Sequence, residues 1–307
     1  MSEHPEGGVR NGTGAPLHVL LAEDNPVNQR ITHLLLRRMG HLVDIVGDGL
    51  EAVDAVAQTS YDVVLMDVQM PRLDGLAAAR AIRSRGSQHQ PPIVALTGGD
   101  LDGDRAACAA AGMDAFLTKP LTLLALGTVL ADLSAGGDGC LGTAVDGQGP
   151  ARQAPPELPG TCILTSREEL IGRRLDELAG PDPLDEDLDL FSSILRSFVD
   201  RSPSLVDDLA DAVLNSSVDA VQHQAHKLKG SAANLGGADL AGLLDHIESQ
   251  SRLGERATAR DLDLVRAELV ELRRSLTVVA RALESRSTWT AAPVPVPSDV
   301  VAGGAPR

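Results

Sequence analysis

The sequence is short of aromatic side chains: one Trp, one Tyr and three Phe make up 2% of its 307 residues. That scarcity disfavours base-stacking surfaces and aromatic-rich β-sandwiches, and leaves the packing to Ala, Leu and Val. Basic residues are also in deficit, with 27 Lys and Arg against 43 Asp and Glu and a formal net charge of −16. Binding to phosphate backbones needs clustered cations, so no nucleic-acid partner is expected. Three cysteines, Cys108, Cys140 and Cys162, are widely spaced and form no CxxC pair. Neither a zinc site nor a disulfide framework follows, and reduced thiols are expected. No apolar run approaches the ~20 residues of a membrane span, and the N-terminus has no basic patch before an apolar stretch. A cytoplasmic protein without membrane insertion is therefore expected.

What is present, from residue 17 onwards, is alternation. His18 to Ala22 is a short apolar strand that stops on Glu23 and Asp24, after which Pro26 suits a first helical turn and Val27, Ile31, Leu34 and Leu35 recur at helical spacing. Leu42 to Val46 leads to a helix near residues 49 to 58, and Val63 to Met66 ends on Asp67 ahead of Pro71 and a helix near 75 to 85. Ile93 to Leu96 closes on Thr97 before a helix near 103 to 111, and Ala115 to Thr118 closes on Lys119-Pro120 before a helix near 121 to 132. Five such units predict an α/β doubly wound parallel sheet with helices on both faces. In open sheets of this kind, ligands lie beyond the carboxyl ends of the strands, which here offer Glu23, Asp24, Asp67, Thr97 and Lys119 to one crevice.

Taken singly, these residues are ordinary caps, turn residues and surface charges; the ordered set is what points to chemistry. Three carboxylates together repel one another unless a cation is present, and oxygen-only ligands suit Mg²⁺. Asp67 could then act as nucleophile towards a phosphoryl group, with Lys119 offsetting charge and Thr97 supplying a hydroxyl donor.

The motifs LLAEDN at 20–25, VLMDVQMP at 64–71, ALTG at 95–98 and the Lys119-Pro120 pair resemble the receiver domain of two-component response regulators, a flavodoxin-like fold, over residues 17 to 132. The resemblance implies that Glu23 and Asp24 hold Mg²⁺ with Asp67 and the Gln69 backbone carbonyl. It also implies that Asp67 becomes an aspartyl phosphate contacted by Lys119 and Thr97. Phe116 is implied as an aromatic switch residue, and Lys119-Pro120 as a cis peptide ending in the switch residue Pro120. In the family an alanine often follows the threonine; Gly98-Gly99 stands here and should loosen the loop.

Residues 134 to 170 are expected to be a flexible linker, rich in Gly and Pro over 134 to 160, and ~40 such residues reach on the order of 35 Å. Residues 171 to 286 then read as an all-α up-and-down bundle, with stripes such as Leu188, Phe191, Leu195, Phe198 and Leu262, Val265, Leu269, Leu272. Leu205, Leu209 and Val213 form a stripe of their own past Pro203. His226 falls one position off the apolar stripe of its helix and is expected to face solvent, with Lys229 and Gly230 on the same face.

The run Ala225 to Gly236 resembles the histidine phosphotransfer (HPt) domain, over residues 173 to 285. That resemblance implies His226 as the phosphohistidine, Lys229 as its support and Gly230 as the point of partner approach. Residues 1 to 16 and 287 to 307 are expected to be disordered tails, leaving 17 to 133 as the receiver. The expected function is a phosphorelay intermediate. Its partners would be a sensor histidine kinase in trans and a downstream response regulator receiver. Two alternatives stay open: a non-catalytic docking module, and the detached C-terminal part of a hybrid sensor kinase. Nucleotide-binding glycine motifs and a helix-turn-helix are absent, so neither ATP hydrolysis nor DNA binding is expected.

Overall fold

In the computed structural model, residues 15–86, 90–98, 101–134, 167–179, 183–215 and 217–285 are described. The expectations for the tails outside 15–285, for most of the linker and for Gly99 lie outside them.

The first domain alternates β1 (His18–Ala22), α1 (Pro26–Arg38), β2 (Leu42–Val46), α2 (Gly49–Gln58), β3 (Val63–Asp67), α3 (Gly75–Ser84), β4 (Ile93–Thr97), α4 (Leu101–Ala110), β5 (Ala115–Thr118) and α5 (Leu123–Ser134). All strand pairs are parallel, in the order β2-β1-β3-β4-β5. Strand side chains alternate between two cores, as a period of two requires. Leu21, Leu65, Leu96 and Leu117 belong to one, and Leu20, Val64, Ala95 and Phe116 to the other. The central strands β3 and β4 are buried at every position, so the polar residues that end them are carried to the rim of a rigid sheet.

Local chemistry starts the helices. Asn25 caps α1, its side chain accepting from Val27 N at 3.0 Å with Pro26 as the next residue. Asp48 caps α2 and Asp74 caps α3 in the same way.

The second domain consists of α6 (Arg167–Ala179), α7 (Asp185–Leu214), α8 (Val218–Asn234), α9 (Ala238–Arg252) and α10 (Ala259–Glu284). Two expectations change here. Helix α6 starts inside the stretch read as linker, because Leu170, Ile171, Leu175 and Leu178 form an amphipathic stripe among many charges. The two stripes flanking Pro203 belong to one 30-residue helix, α7. Proline there removes the amide that would pair with the carbonyl of Val199, and Arg273 Nε of α10 donates to that carbonyl at 2.9 Å instead.

The domains are not separate bodies. Helix α1 lies against α7 and α8, and one continuous set of buried apolar residues runs from Leu35, Leu121 and Val129 of the first domain to Leu178, Leu195 and Phe198 of the second.

Candidate functional site

At the strand ends, Lys119 Nζ lies 2.6 Å from both Glu23 Oε2 and Asp67 Oδ2. Asp67 Oδ1 accepts from the Gln69 amide at 3.2 Å, and Lys119 N donates to the Thr97 carbonyl at 2.8 Å, which ties the ends of β4 and β5 together. Glu23 Oε1 accepts from Asn25 N at 3.2 Å and from Asn28 Nδ2 at 3.0 Å. Glu23, Asp67 and Thr97 are all buried. Burial pushes the Glu23 carboxyl up to about 8 against the opposing pull of Lys119. Burial also disfavours the Lys119 ammonium, but Asp67 and Glu23 more than offset this and hold it charged well above its ordinary range. Ligand oxygens of Glu23, Asp24 and Asp67 lie within 4.8 Å of one another, a hard-oxygen set that fits a small divalent cation.

The remaining residues expected in the first domain fall as follows. Lys119-Pro120 is a cis peptide bond. Phe116, on β5, is buried in the core that also holds Leu20, Val64 and Ala95, with the Arg105 guanidinium 4.3 Å from its ring centroid.

The second domain completes the site. His226 was expected to face solvent, yet it is only 7% exposed. The periodicity of α8 is right about the bundle core, where Val221, Ala225, Leu228 and Ala232 are buried. The opposite side of the helix is covered as well, by the first domain, which no single-helix pattern can reveal. A Cβ built on Gly98, next to Thr97, would lie 2.6 Å from His226 Cε1 and 3.5 Å from Lys229 Nζ, so the missing side chain at 98 makes room for the imidazole. Gly230 meets α1 in the same manner, its absent Cβ falling 3.2 Å from Asn28 Nδ2. A cavity of about 270 Å³ between the domains is lined by Lys119 and Gly98 on one side and by His226, Lys229 and Gly230 on the other.

Several residues here were not anticipated. Asn25 Nδ2 donates to the Lys227 carbonyl at 2.8 Å and to Ser231 Oγ at 2.6 Å. Asp24 Oδ2 pairs with Lys227 Nζ at 3.0 Å, so an acidic residue read only as a metal ligand also joins the domains. Glu248 of α9 is 1% exposed; its Oε1 lies 3.3 Å from His226 Nδ1 and its Oε2 2.6 Å from Lys229 Nζ. The signal for it was legible: position 248 continues the apolar stripe Leu240, Leu244, Ile247, and a carboxylate is tolerated there only if it is paired.

Burial opposes the charge of Glu248, but the hydrogen bond and charge of His226, with Lys229, outweigh it and hold the group down at about 2. A depressed carboxylate stabilises the fold fully above its ordinary value of 4.5 and loses that stabilisation as pH falls towards 2. The shift corresponds to about 3 kcal/mol. Denaturant midpoints from pH 5.5 to 2.5 should therefore fall more steeply in the wild type than in Glu248→Gln. Parallel curves would mean that Glu248 carries no such coupling.

Comparison with known proteins finds two domain families in the chain. The family model for the response regulator receiver domain matches residues 19–131, and that for the Hpt domain matches residues 193–282. Sensor protein GacS of Pseudomonas syringae pv. syringae is 32% identical over 283 residues, covering 89% of this chain and 29% of that protein. Signal transduction histidine-protein kinase BarA of Escherichia coli (strain K12) is 27% identical over 263 residues, covering 86% and 26%. Among solved structures, the receiver domain of sensor histidine kinase PA1611 from Pseudomonas aeruginosa PAO1, with a magnesium ion coordinated in its active site cleft, is 41% identical. It covers 39% of this chain and 99% of that one, with a TM-score of 0.37. The Saccharomyces cerevisiae complex of the histidine phosphotransfer protein Ypd1 with the receiver domain of Ssk1 is 29% identical, covering 42% and 95%, with a TM-score of 0.37. The chain spans less than a third of the length of the curated relatives it matches, 29% in the case of GacS and 14% in that of Histidine kinase 5 of Arabidopsis thaliana. It carries a response regulator receiver domain followed by an Hpt domain.

Proposed function

We propose that the chain is a phosphorelay intermediate in which Asp67 accepts a phosphoryl group and exchanges it with His226. The observation that carries this reading is the shared cavity, lined by Lys119 from the strand ends and by His226 from the bundle. Glu23, Asp24 and Asp67, with the Gln69 carbonyl, would hold Mg²⁺, which supplies neutralisation of the phosphoryl oxygens. Lys119, held charged between Glu23 and Asp67, offsets charge on the same group. Thr97 would donate its hydroxyl to the aspartyl phosphate. Phe116 and Pro120 are assigned to the coupling between that pocket and the rest of the receiver.

On the bundle side, the Glu248 carboxylate can only accept, so its contact with His226 Nδ1 places the ring proton on that nitrogen and leaves Nε2 with its lone pair. In the exchange the P–O bond to Asp67 breaks as an N–P bond forms at Nε2, and Asp67 departs as a carboxylate. The positive charge this leaves on the ring faces Glu248, while Lys229 offsets the phosphoryl oxygens. Gly230 lets the receiver come close. A docking module without chemistry would leave the buried Lys119–Asp67 ion pair, with Glu23 beside it, without a task, and buried ionic groups are costly to keep.

A sensor histidine kinase acting in trans is the proposed donor to Asp67, and a separate response regulator receiver the further partner of His226. The cytoplasm is the proposed location, and no described helix is long and apolar enough to cross a membrane.

The test is direct. With Mg²⁺ and acetyl phosphate, the intact mass of the wild type should rise by one phosphoryl unit, while Asp67→Asn or chelation of the metal should leave it unchanged. Equal gains in wild type and Asp67→Asn would end the assignment.

A further inference from the structure

Helix α6 lies outside both family-matched ranges, 19–131 and 193–282. It nevertheless carries Arg174, 7% exposed and the most buried arginine among the described residues. Its guanidinium makes a fork between the domains. Nη2 donates to the Leu121 carbonyl of the β5–α5 loop at 2.7 Å and to Asn234 Oδ1 at 3.3 Å, while Nε donates to the Asn234 carbonyl at 3.4 Å. Nη1 turns outwards to Glu177, one turn along the same helix, at 2.9 Å.

From Asn234 the hydrogen bonds continue without a break: Asn234 Nδ2 donates to Asn28 Oδ1 at 2.9 Å, and Asn28 Nδ2 donates to Glu23 Oε1 at 3.0 Å. The chain of contacts therefore runs from α6 to a carboxylate of the acidic pocket. The end of α8 is shaped to admit α6, since Gly236 has φ +81° and a Cβ there would lie 3.1 Å from Ile171 Cα. At the other end of α6, the Leu178 carbonyl accepts from Arg38 of α1 at 3.4 Å. Ile171, Leu175 and Leu178 fill the same apolar cluster as Leu121.

We propose that α6 is a clamp that makes this chain's own receiver the fitted partner of its own HPt bundle, with Arg174 as the specificity-determining residue. The inference deepens the phosphorelay reading and rests on it for its kinetic consequence. A planar, always-charged fork suits the role, because three acceptors from two domains must converge on it. A receiver whose β5–α5 loop does not bring a main-chain carbonyl to the place of Leu121 leaves the buried guanidinium partly unpaired, and an unpaired buried charge discriminates strongly. Neighbouring residues of the phosphoryl path could be the same in two receivers and the clamp would still separate them.

The experiment uses the full chain labelled at Asp67. Arg174→Ala should slow transfer of label from Asp67 to His226 within the chain by roughly tenfold to a hundredfold, the range for a lost hydrogen bond to a charged group. Labelling of Asp67 by acetyl phosphate should stay as in the wild type. Amide exchange should speed up at residues 121–126 and along α1. Glu177→Ala, on the same helix but reaching only Nη1, should change neither readout. If Arg174→Ala unfolds the bundle, Arg174→Lys keeps the stem and the charge without the fork, and should show the same losses to a smaller degree. Wild-type transfer together with wild-type exchange protection in these Arg174 variants would overturn the clamp and leave the relay intact. If the wild type itself passes no label to His226, the relay reading falls, and the exchange data alone decide whether α6 holds the domains together.

Discussion

A chain with His226 replaced by Ala is expected to keep its phosphoryl label on Asp67 and to show none on the bundle. The substitution removes the one imidazole among the residues lining the shared cavity, so transfer should drop by at least about a hundredfold, as for loss of a group that forms the bond itself. Acyl phosphates are lost in alkali and phosphohistidine survives it, so alkali treatment before gel analysis distinguishes the two. The built-in rival is His223, one turn earlier on α8, whose Nε2 lies 3.8 Å from Asp24 Oδ2 and whose side chain is 31% exposed. Burial lowers the basicity of His223. Alkali-stable label persisting in His226→Ala would move the acceptor to His223.

The alternation of strand and helix was legible because each buried strand ends on a polar residue and each helix opens on a capping residue such as Asp48 or Asp74. The acidic pocket was legible for the same reason: Glu23, Asp67, Thr97 and Lys119 sit where strands stop, and sheet topology alone brings strand ends together. What could not be read was the relation between the two domains. His226 lies off the apolar stripe of α8, and that pattern means solvent unless another body covers it. Asn25 looks like a helix cap and is one, but its Nδ2 also reaches Lys227 and Ser231, some two hundred residues on. Helix α6 was hidden because seven of its thirteen residues, Arg167 to Ala179, are charged, a composition that imitates a solvated linker. Pro203 looked like a break because its compensation, Arg273 donating to the Val199 carbonyl, comes from another helix.

The second large effect is expected at Gly75, the first residue of α3. A Cβ there would stand 2.1 Å from the Asp67 carbonyl oxygen and 3.0 Å from the Asp67 carbonyl carbon and Val68 Cα. These are main-chain atoms at the end of a fully buried strand, so no side chain can turn aside to make room. The Gly75 amide also donates to the Val68 carbonyl at 2.9 Å, which fixes the turn in place. Gly75→Ala must part α3 from the β3 terminus and carry Asp67 away from Lys119. Overpacking of this kind costs about 3 kcal/mol, at the upper end of its usual range. Thermal melting should show the loss, and labelling of Asp67 by acetyl phosphate should fall in step with it. A variant that melts and labels like the wild type would mean that the turn between β3 and α3 does not position Asp67.

The central claim is that Asp67 and His226 exchange a phosphoryl group across the contact their own chain makes. It is tested most directly by following label from Asp67 to His226 at a series of protein concentrations, for the wild type and for an equimolar mixture of Asp67→Ala and His226→Ala chains. Transfer in the wild type should be first order with a rate constant independent of concentration, and in the mixture it should be slower at low micromolar concentration and rise with concentration. A mixture that transfers label as fast as the wild type at the lowest concentration, or a wild-type rate that scales with concentration, would contradict it.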